Sequence, residues 1–166
     1  VVAVALIVRA PLPVDETRYL AVAWDMWLEN HYLVPHLNGE PYSHKPPLLF
    51  WLMTAGWQLF GVNEWWPRLV APLFGLGTMI LTGRLAAVLW PGRADVVGTA
   101  PLLMFSALFW TVFTTLTMFD MMLAFFAVAA LIALVTAART GQMRGFVLAG
   151  VMIGIGVLAK GPAILL

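Results

Sequence analysis

Four apolar runs dominate the second half of the chain, at residues 69–89, 96–119, 121–138 and from 146 through 158 onward. Each approaches or exceeds the ~20 residues that carry a helix across a bilayer. Only 10% of the residues are charged, against roughly 25% in soluble domains. A water-soluble fold of this size could not hide so much apolar surface. The expected class is an all-α polytopic membrane protein.

Charge placement sets the expected topology. Arg84 and Arg93 flank the first connection between runs, and Arg139 and Arg144 sit in the third. The positive-inside rule makes both connections cytoplasmic. Asp120 then faces the opposite side, and so does Lys160 near the end of the last run. The stretch before residue 69 lies on that outer side too, where its acids Asp15, Glu16, Asp25, Glu29, Glu40 and Glu64 are expected.

The start, "VVAVALIVRA", has eight apolar residues before Arg9 and no initiator Met, and the last run stops at residue 166. Both ends are expected to be cut. A signal peptide is the rival reading of the start, but a basic n-region and a small-residue cleavage site are missing. The expected organisation is the end of a first span over 1–10, an extracytoplasmic loop over 11–67, and four transmembrane helices over 68–166.

Two helices are expected in that loop. Residues 47–60 are apolar but short for a span, and a span there would break the side assignment. Trp51, Trp57, Trp65 and Trp66 suit the interface. Pro46 and Pro47 suit its first turn. Residues 15–30 form the other helix, with Tyr19, Val22, Ala23, Met26 and Trp27 near one face. The intervening "PHLNGEPY" is turn-rich.

Several functions are excluded. Net charge is +1, so no nucleic-acid footprint exists. There is no cysteine, so disulfides and thiol chemistry are absent from this stretch. His31 and His36 lack a metal-ligand spacing.

The candidate site residues gather by side. Asp15 and Glu16 open a helix, where acids also serve as cap and dipole partners. Arg18 shares a face with Asp15. Asp120 is a lone acid between two apolar runs, a functional candidate or a helix cap. Lys160 in "AKGP" is either a snorkelling lysine or a cation at a shaped helix end. In "GEPYSHKPPLLFW", Lys45 sits at a helix start, the wrong end for a cation unless an anion is held there. His44 beside it is a metal ligand, a base or a cap. Arg68 is an interface anchor, with Glu64 placed to pair with it at i,i+4. Three cations (Arg18, Lys45, Lys160) and two acids (Asp15, Asp120) thus fall on one membrane face, a set suited to a lipid-linked phosphate and an acceptor. A flippase or transporter of lipid-linked sugars would use the same cations, but its ionisable groups are expected near the midplane and its halves related by a repeat.

The ordered set "DETRY", "P-x-LNGEPY-x-x-KPPLLFW", "G-x-NEWWPRL", "TMFD" and "LAKGP" resembles the bacterial membrane glycosyltransferases related to the lipid A aminoarabinose transferases and the protein O-mannosyltransferases. The resemblance implies the GT-C fold and an inverting enzyme of the bacterial inner membrane, its site facing the periplasm. The implied donor is a polyprenyl-phosphate sugar and the implied acceptor a lipid or a protein. It also implies that Asp15 and Asp120 are catalytic, that Arg18, Lys45 and Lys160 bind the donor phosphate, and that Glu16 and Glu64 support them. Aminoarabinose transferases usually carry a glutamate, implicated in zinc binding, where this chain has His44. Zinc at His44 is therefore an open expectation, its second ligand falling beyond residue 166. The eukaryotic O-mannosyltransferases also have a histidine before "PPL", so the exchange need carry no metal meaning.

Overall fold

A computed structural model describes residues 2–165. In chain order the helices are α1 (Val2–Val8), α2 (Asp15–Glu29), α3 (Leu48–Phe60), α4 (Trp65–Leu89), α5 (Ala94–Ser106), α6 (Leu108–Phe113), α7 (Asp120–Thr140) and α8 (Met143–Lys160). A 3-10 turn, Gly161–Leu165, continues α8, and two short strands, β1 (His36–Leu37) and β2 (Glu40–Pro41), form a hairpin between α2 and α3.

Among the described residues, three helices are long and apolar enough to cross a membrane: α4, α7, and α8 with its 3-10 extension. The central one is α7, which packs against α4 on one side and α8 on the other. Its turn into α8 is tight: Gly141 takes the left-handed conformation that closes a helix, and its N–H returns to Ala137 O at 2.8 Å. Just beyond, Gly145 lies so close to α7 that an added Cβ would stand 2.7 Å from the Ala137 Cβ. Arg139 donates to the carbonyls of Val88 and Leu89. The arginine-bearing ends of α4 and α7 are thereby joined.

The run 96–119 departs from the expectation of a full transmembrane helix. It folds as α5 and α6, broken at Ala107, whose backbone is extended. Hydroxyl groups line the break. Ser106, Thr111, Thr114 and Thr115 each donate to a backbone carbonyl three to six residues earlier, at 2.6–2.8 Å. Such local bonds compete with the helical ladder and satisfy carbonyls that the break sets free. Hydropathy registers none of this.

The two helices expected between residues 11 and 67 are present. Tyr19, Val22, Ala23 and Met26 form the buried face of α2, and Trp27 is partly buried beside them. That face meets Leu49, Phe50 and Met53 of α3 in one core. At 13 residues, α3 extends only ~20 Å, too short to span. It starts directly after Pro46 and Pro47. The β1–β2 hairpin turns through Asn38 and Gly39, both at positive φ, the pair that a two-residue turn of this hand favours.

Arg68 corrects a pairing. It makes no ion pair with Glu64 and is only 6% exposed. Its guanidinium donates instead to the carbonyls of Ala5 (3.0 Å), Leu6 (3.1 Å) and Arg9 (2.6 Å). The last carbonyls of a helix have no partner within it, and a cation there is also favoured by the helix dipole. Closing α1 therefore outweighs an exposed i,i+4 pair. Glu64 is exposed, and Asn63 takes the capping role, its Oδ1 accepting from Trp66 N at 2.8 Å.

Candidate functional site

The ends of four segments meet around a cleft of about 390 Å³. Asp15 is the first residue of α2, and Arg18 follows one turn later on the same side. His44 and Lys45 come from the proline-stiffened lead into α3. Asp120 opens α7 and Lys160 closes α8. All six line the cleft. Residues up to 145 positions apart in the sequence are thus brought together because each stands at a helix end or just outside one.

The two charged ends of the α7–α8 hairpin are directly coupled, with Lys160 Nζ donating to Asp120 Oδ1. Each charge also suits its own helix, an acid at an N-terminus and a cation at a C-terminus. Lys45 Nζ stands 5.8 Å from the Phe119 ring centroid, within cation–π range. Among the described residues, neither Arg18 nor Lys45 has an ion-pair partner. The cleft therefore holds one neutralised pair, one uncompensated acid and two uncompensated cations, an arrangement able to receive an anion.

Two tyrosines complete the lining. Burial pushes the Tyr19 hydroxyl up to about 12, and the nearby Asp15 carboxylate adds to the effect. Tyr19 stays neutral and able to donate at physiological pH. Its ring meets Phe119 edge-on, with centroids 4.9 Å apart. Tyr42 has a buried hydroxyl without a hydrogen-bond partner among the described residues. Sequence reasoning passed over Tyr42 as part of a turn. The available signal was its place two residues before His44, on the lead-in that already carried two candidates.

Glu16 is not part of the cleft lining. It is 0% exposed and faces the protein interior. Arg9 donates to both of its oxygens, and the backbone N–H groups of Leu12 (2.6 Å) and Thr117 (2.7 Å) complete them. Burial alone would push this carboxyl up, but the Arg9 guanidinium and the two N–H groups outweigh burial and hold it at about 2. Glu64 also lies outside the cleft lining.

His44 lies on the cleft with its ring 5.4 Å from that of Tyr42. No cluster of three histidine, aspartate or glutamate donors able to hold a metal exists among the described residues. A zinc ion at His44 would need further ligands from another segment. A second recess, of about 300 Å³ between α4 and α5–α6, is almost wholly apolar and has no ionisable group in its lining. The reactive groups gather elsewhere.

Several known proteins are similar to this chain. The family model described as dolichyl-phosphate-mannose-protein mannosyltransferase matches residues 44–166. A relative from Serratia proteamaculans, named undecaprenyl phosphate-alpha-4-amino-4-deoxy-L-arabinose arabinosyl transferase, is 30% identical over 152 residues, covering 89% of this chain and 27% of the relative. The protein of the same name from Enterobacter sp. is 28% identical over 157 residues, covering 92% and 28%. The crystal structure of ArnT from Cupriavidus metallidurans in the apo state superimposes with a TM-score of 0.85 at 27% identity, covering 97% of this chain and 30% of that one. The same ArnT bound to undecaprenyl phosphate superimposes equally well. The chain thus spans less than a third of the length of these relatives. It belongs to the dolichyl-phosphate-mannose-protein mannosyltransferase family and is an all-α, multi-pass membrane protein with the GT-C glycosyltransferase fold.

Proposed function

We propose that this family member supplies the N-terminal part of a membrane glycosyltransferase. The enzyme moves a sugar from a polyprenyl-phosphate donor to a lipid or protein acceptor, at the extracytoplasmic face of the bacterial inner membrane. The observation that carries this reading is the cleft that gathers Arg18, Lys45 and Lys160 with Asp15 and Asp120. The names of the relatives supply the donor class, an undecaprenyl-phosphate-linked aminosugar, and ArnT binds undecaprenyl phosphate. Lipid A is the acceptor that an aminoarabinose transferase would use.

In the reaction, the acceptor oxygen attacks the anomeric carbon from the face opposite the phosphate, and the bond from that carbon to the phosphate oxygen breaks. The configuration inverts and the polyprenyl phosphate leaves with the bonding electrons. Negative charge grows on the leaving group, where Arg18 and Lys45 are uncompensated and Lys160 is held ready by Asp120. A preorganised donor at such a position is worth about 3 kcal/mol. With a hydroxyl acceptor, Asp15 takes the proton. With a phosphate acceptor, already ionised, Asp15 orients it instead. Placement of Asp15, Asp120 and Lys160 at helix ends, away from the middle of the spans, supports transfer chemistry over transport.

The test is transfer from undecaprenyl-phosphate aminoarabinose to lipid A by the full-length protein in membranes. Asp15→Asn and Asp120→Asn should each abolish product at unchanged protein level. Normal transfer by both would overturn the reading. Cysteines placed singly at positions 15 and 120 should react with a membrane-impermeant maleimide from the periplasm. Labelling of position 120 from the cytosol alone would overturn the side assignment.

A further inference from the structure

Asp15 and Glu16 are adjacent, yet only Asp15 faces the cleft. The inward carboxylate of Glu16 is fully occupied. One oxygen accepts from Arg9 Nη2 (3.0 Å) and Thr117 N (2.7 Å); the other accepts from Arg9 Nη1 and Leu12 N (2.6 Å). Arg9 reaches further, donating to Thr115 O at 2.9 Å. Its own carbonyl is held by Arg68 of α4 at 2.6 Å.

These contacts join three separate pieces of chain. The exit from α1 carries Arg9, the start of α2 carries Glu16 next to Asp15, and the irregular stretch after α6 carries Thr115 and Thr117. That stretch ends, three residues after Thr117, at Asp120. Neither Asp15 nor Asp120 bonds to the pair itself. Each is only a few bonds of backbone from a residue that does.

The backbone at this junction is strained. Val14, immediately before Asp15, has φ 77° and ψ −62°, a rare region for any residue but glycine and costly for a β-branched one. Strain of this kind persists only where surrounding bonds over-determine it, and it clusters at functional sites. Leu12 N and Glu16 Oε2, on either side of Val14, are bonded to each other. The closed loop between them holds Val14 in place.

We propose that Arg9 and Glu16 are positioning residues that fix the Asp15 carboxylate relative to Asp120. This rests on the reading that both aspartates act in sugar transfer. Arg9 and Glu16 touch neither donor nor acceptor. The role is separable from mere stability because misplacing a reacting group by about 1 Å can cost on the order of 100-fold in turnover, while the phosphate-binding cations Arg18 and Lys45 are untouched.

The experiment uses the full-length protein in membranes with undecaprenyl-phosphate aminoarabinose as donor and lipid A as acceptor. Glu16→Gln and Arg9→Gln are each expected to lower kcat per folded molecule by about 10- to 100-fold, with donor KM within about twofold of the parent. The double variant should be no worse than the weaker single, since the two act as one unit. Arg9→Lys keeps the charge but not the forked geometry and should fall between parent and Arg9→Gln. It serves as the second variant where a glutamine variant fails to accumulate. Unchanged kcat per folded molecule in the variants, even with reduced yield or thermal stability, would overturn the proposal. So would failure of every variant to accumulate, which assigns the pair to folding alone. Asp15→Asn and Asp120→Asn in the same assay separate the two levels. If they are inactive while the clamp variants are normal, only the clamp fails; if they are active, the underlying reading fails.

Discussion

Lys160 and Asp120, 40 residues apart, are bonded to each other across the open end of the α7–α8 hairpin. Both remain partly exposed, so the pair contributes little to stability. Its value is positional. In the proposed reaction, an incoming donor phosphate finds an ammonium already fixed in place, with its carboxylate partner held close.

The pair should therefore behave as one unit. Lys160→Gln is expected to lower transfer by about 100-fold, the scale for removal of one preorganised donor. Asp120→Asn should also weaken donor binding, and adding Lys160→Gln should weaken it little further. Donor binding to the two single variants and the double variant, a readout that needs no turnover, checks this; fully additive losses would show that the two act independently.

Lys45 has no carboxylate partner and stands over the Phe119 ring, so its charge is available to the donor. Lys45→Ala should raise donor KM by about tenfold, a loss of ~1.4 kcal/mol in binding. Donor titrations at fixed acceptor concentration measure it, and an unchanged donor dependence would remove Lys45 from phosphate binding.

Acid should loosen the junction at Glu16. Its carboxyl is held at about 2 in the fold against an ordinary 4.5. The stabilisation from the depressed value is therefore complete above pH 4.5 and is lost as pH falls from 4.5 toward 2. It amounts to on the order of 3 kcal/mol. Thermal unfolding in detergent between pH 7 and 3 should show midpoints that decline below pH 4.5, and Glu16→Gln should flatten that decline.

Gly56 marks a close approach of α3 and α4. A Cβ there would overlap the Trp66 indole, which cannot withdraw because its Nε1 donates to Leu52 O at 2.9 Å. Gly56→Ala should destabilise by about 1–3 kcal/mol, the range for overpacking. Thermal stability of the variant in detergent tests this, and a parent-like midpoint would show that the indole can move.

Much of the architecture could be read from periodicity and charge. The inward face of α2 followed from the spacing of Tyr19, Val22, Ala23 and Met26, and the shortness of α3 from counting residues between Pro47 and Gly61. The break in the run 96–119 was not legible, because hydropathy carries nothing about backbone continuity or about the bonds that line the break, such as that from Thr111 to Phe105 O. The cleft residues were legible because a charge next to a long apolar run has few reasons to be there. Arg9 gave no such signal: it reads as an ordinary arginine closing a span, and its distant partner, Thr115 O, lies more than 100 residues away. Glu64 was assigned to Arg68 on helical spacing, but Arg68 donates instead to the carbonyls of Ala5, Leu6 and Arg9 at the exit of α1.

The contact of Gly145 with Ala137 has a remote effect. It lies next to the turn on which α7 and α8 pivot, while Asp120 and Lys160 are at the far tips. An α7 of 21 residues is a lever arm of ~30 Å, so a change of about 2° at the fulcrum moves the tip by roughly 1 Å. A single methyl group wedged beneath Gly145 would pry apart two charges it never approaches.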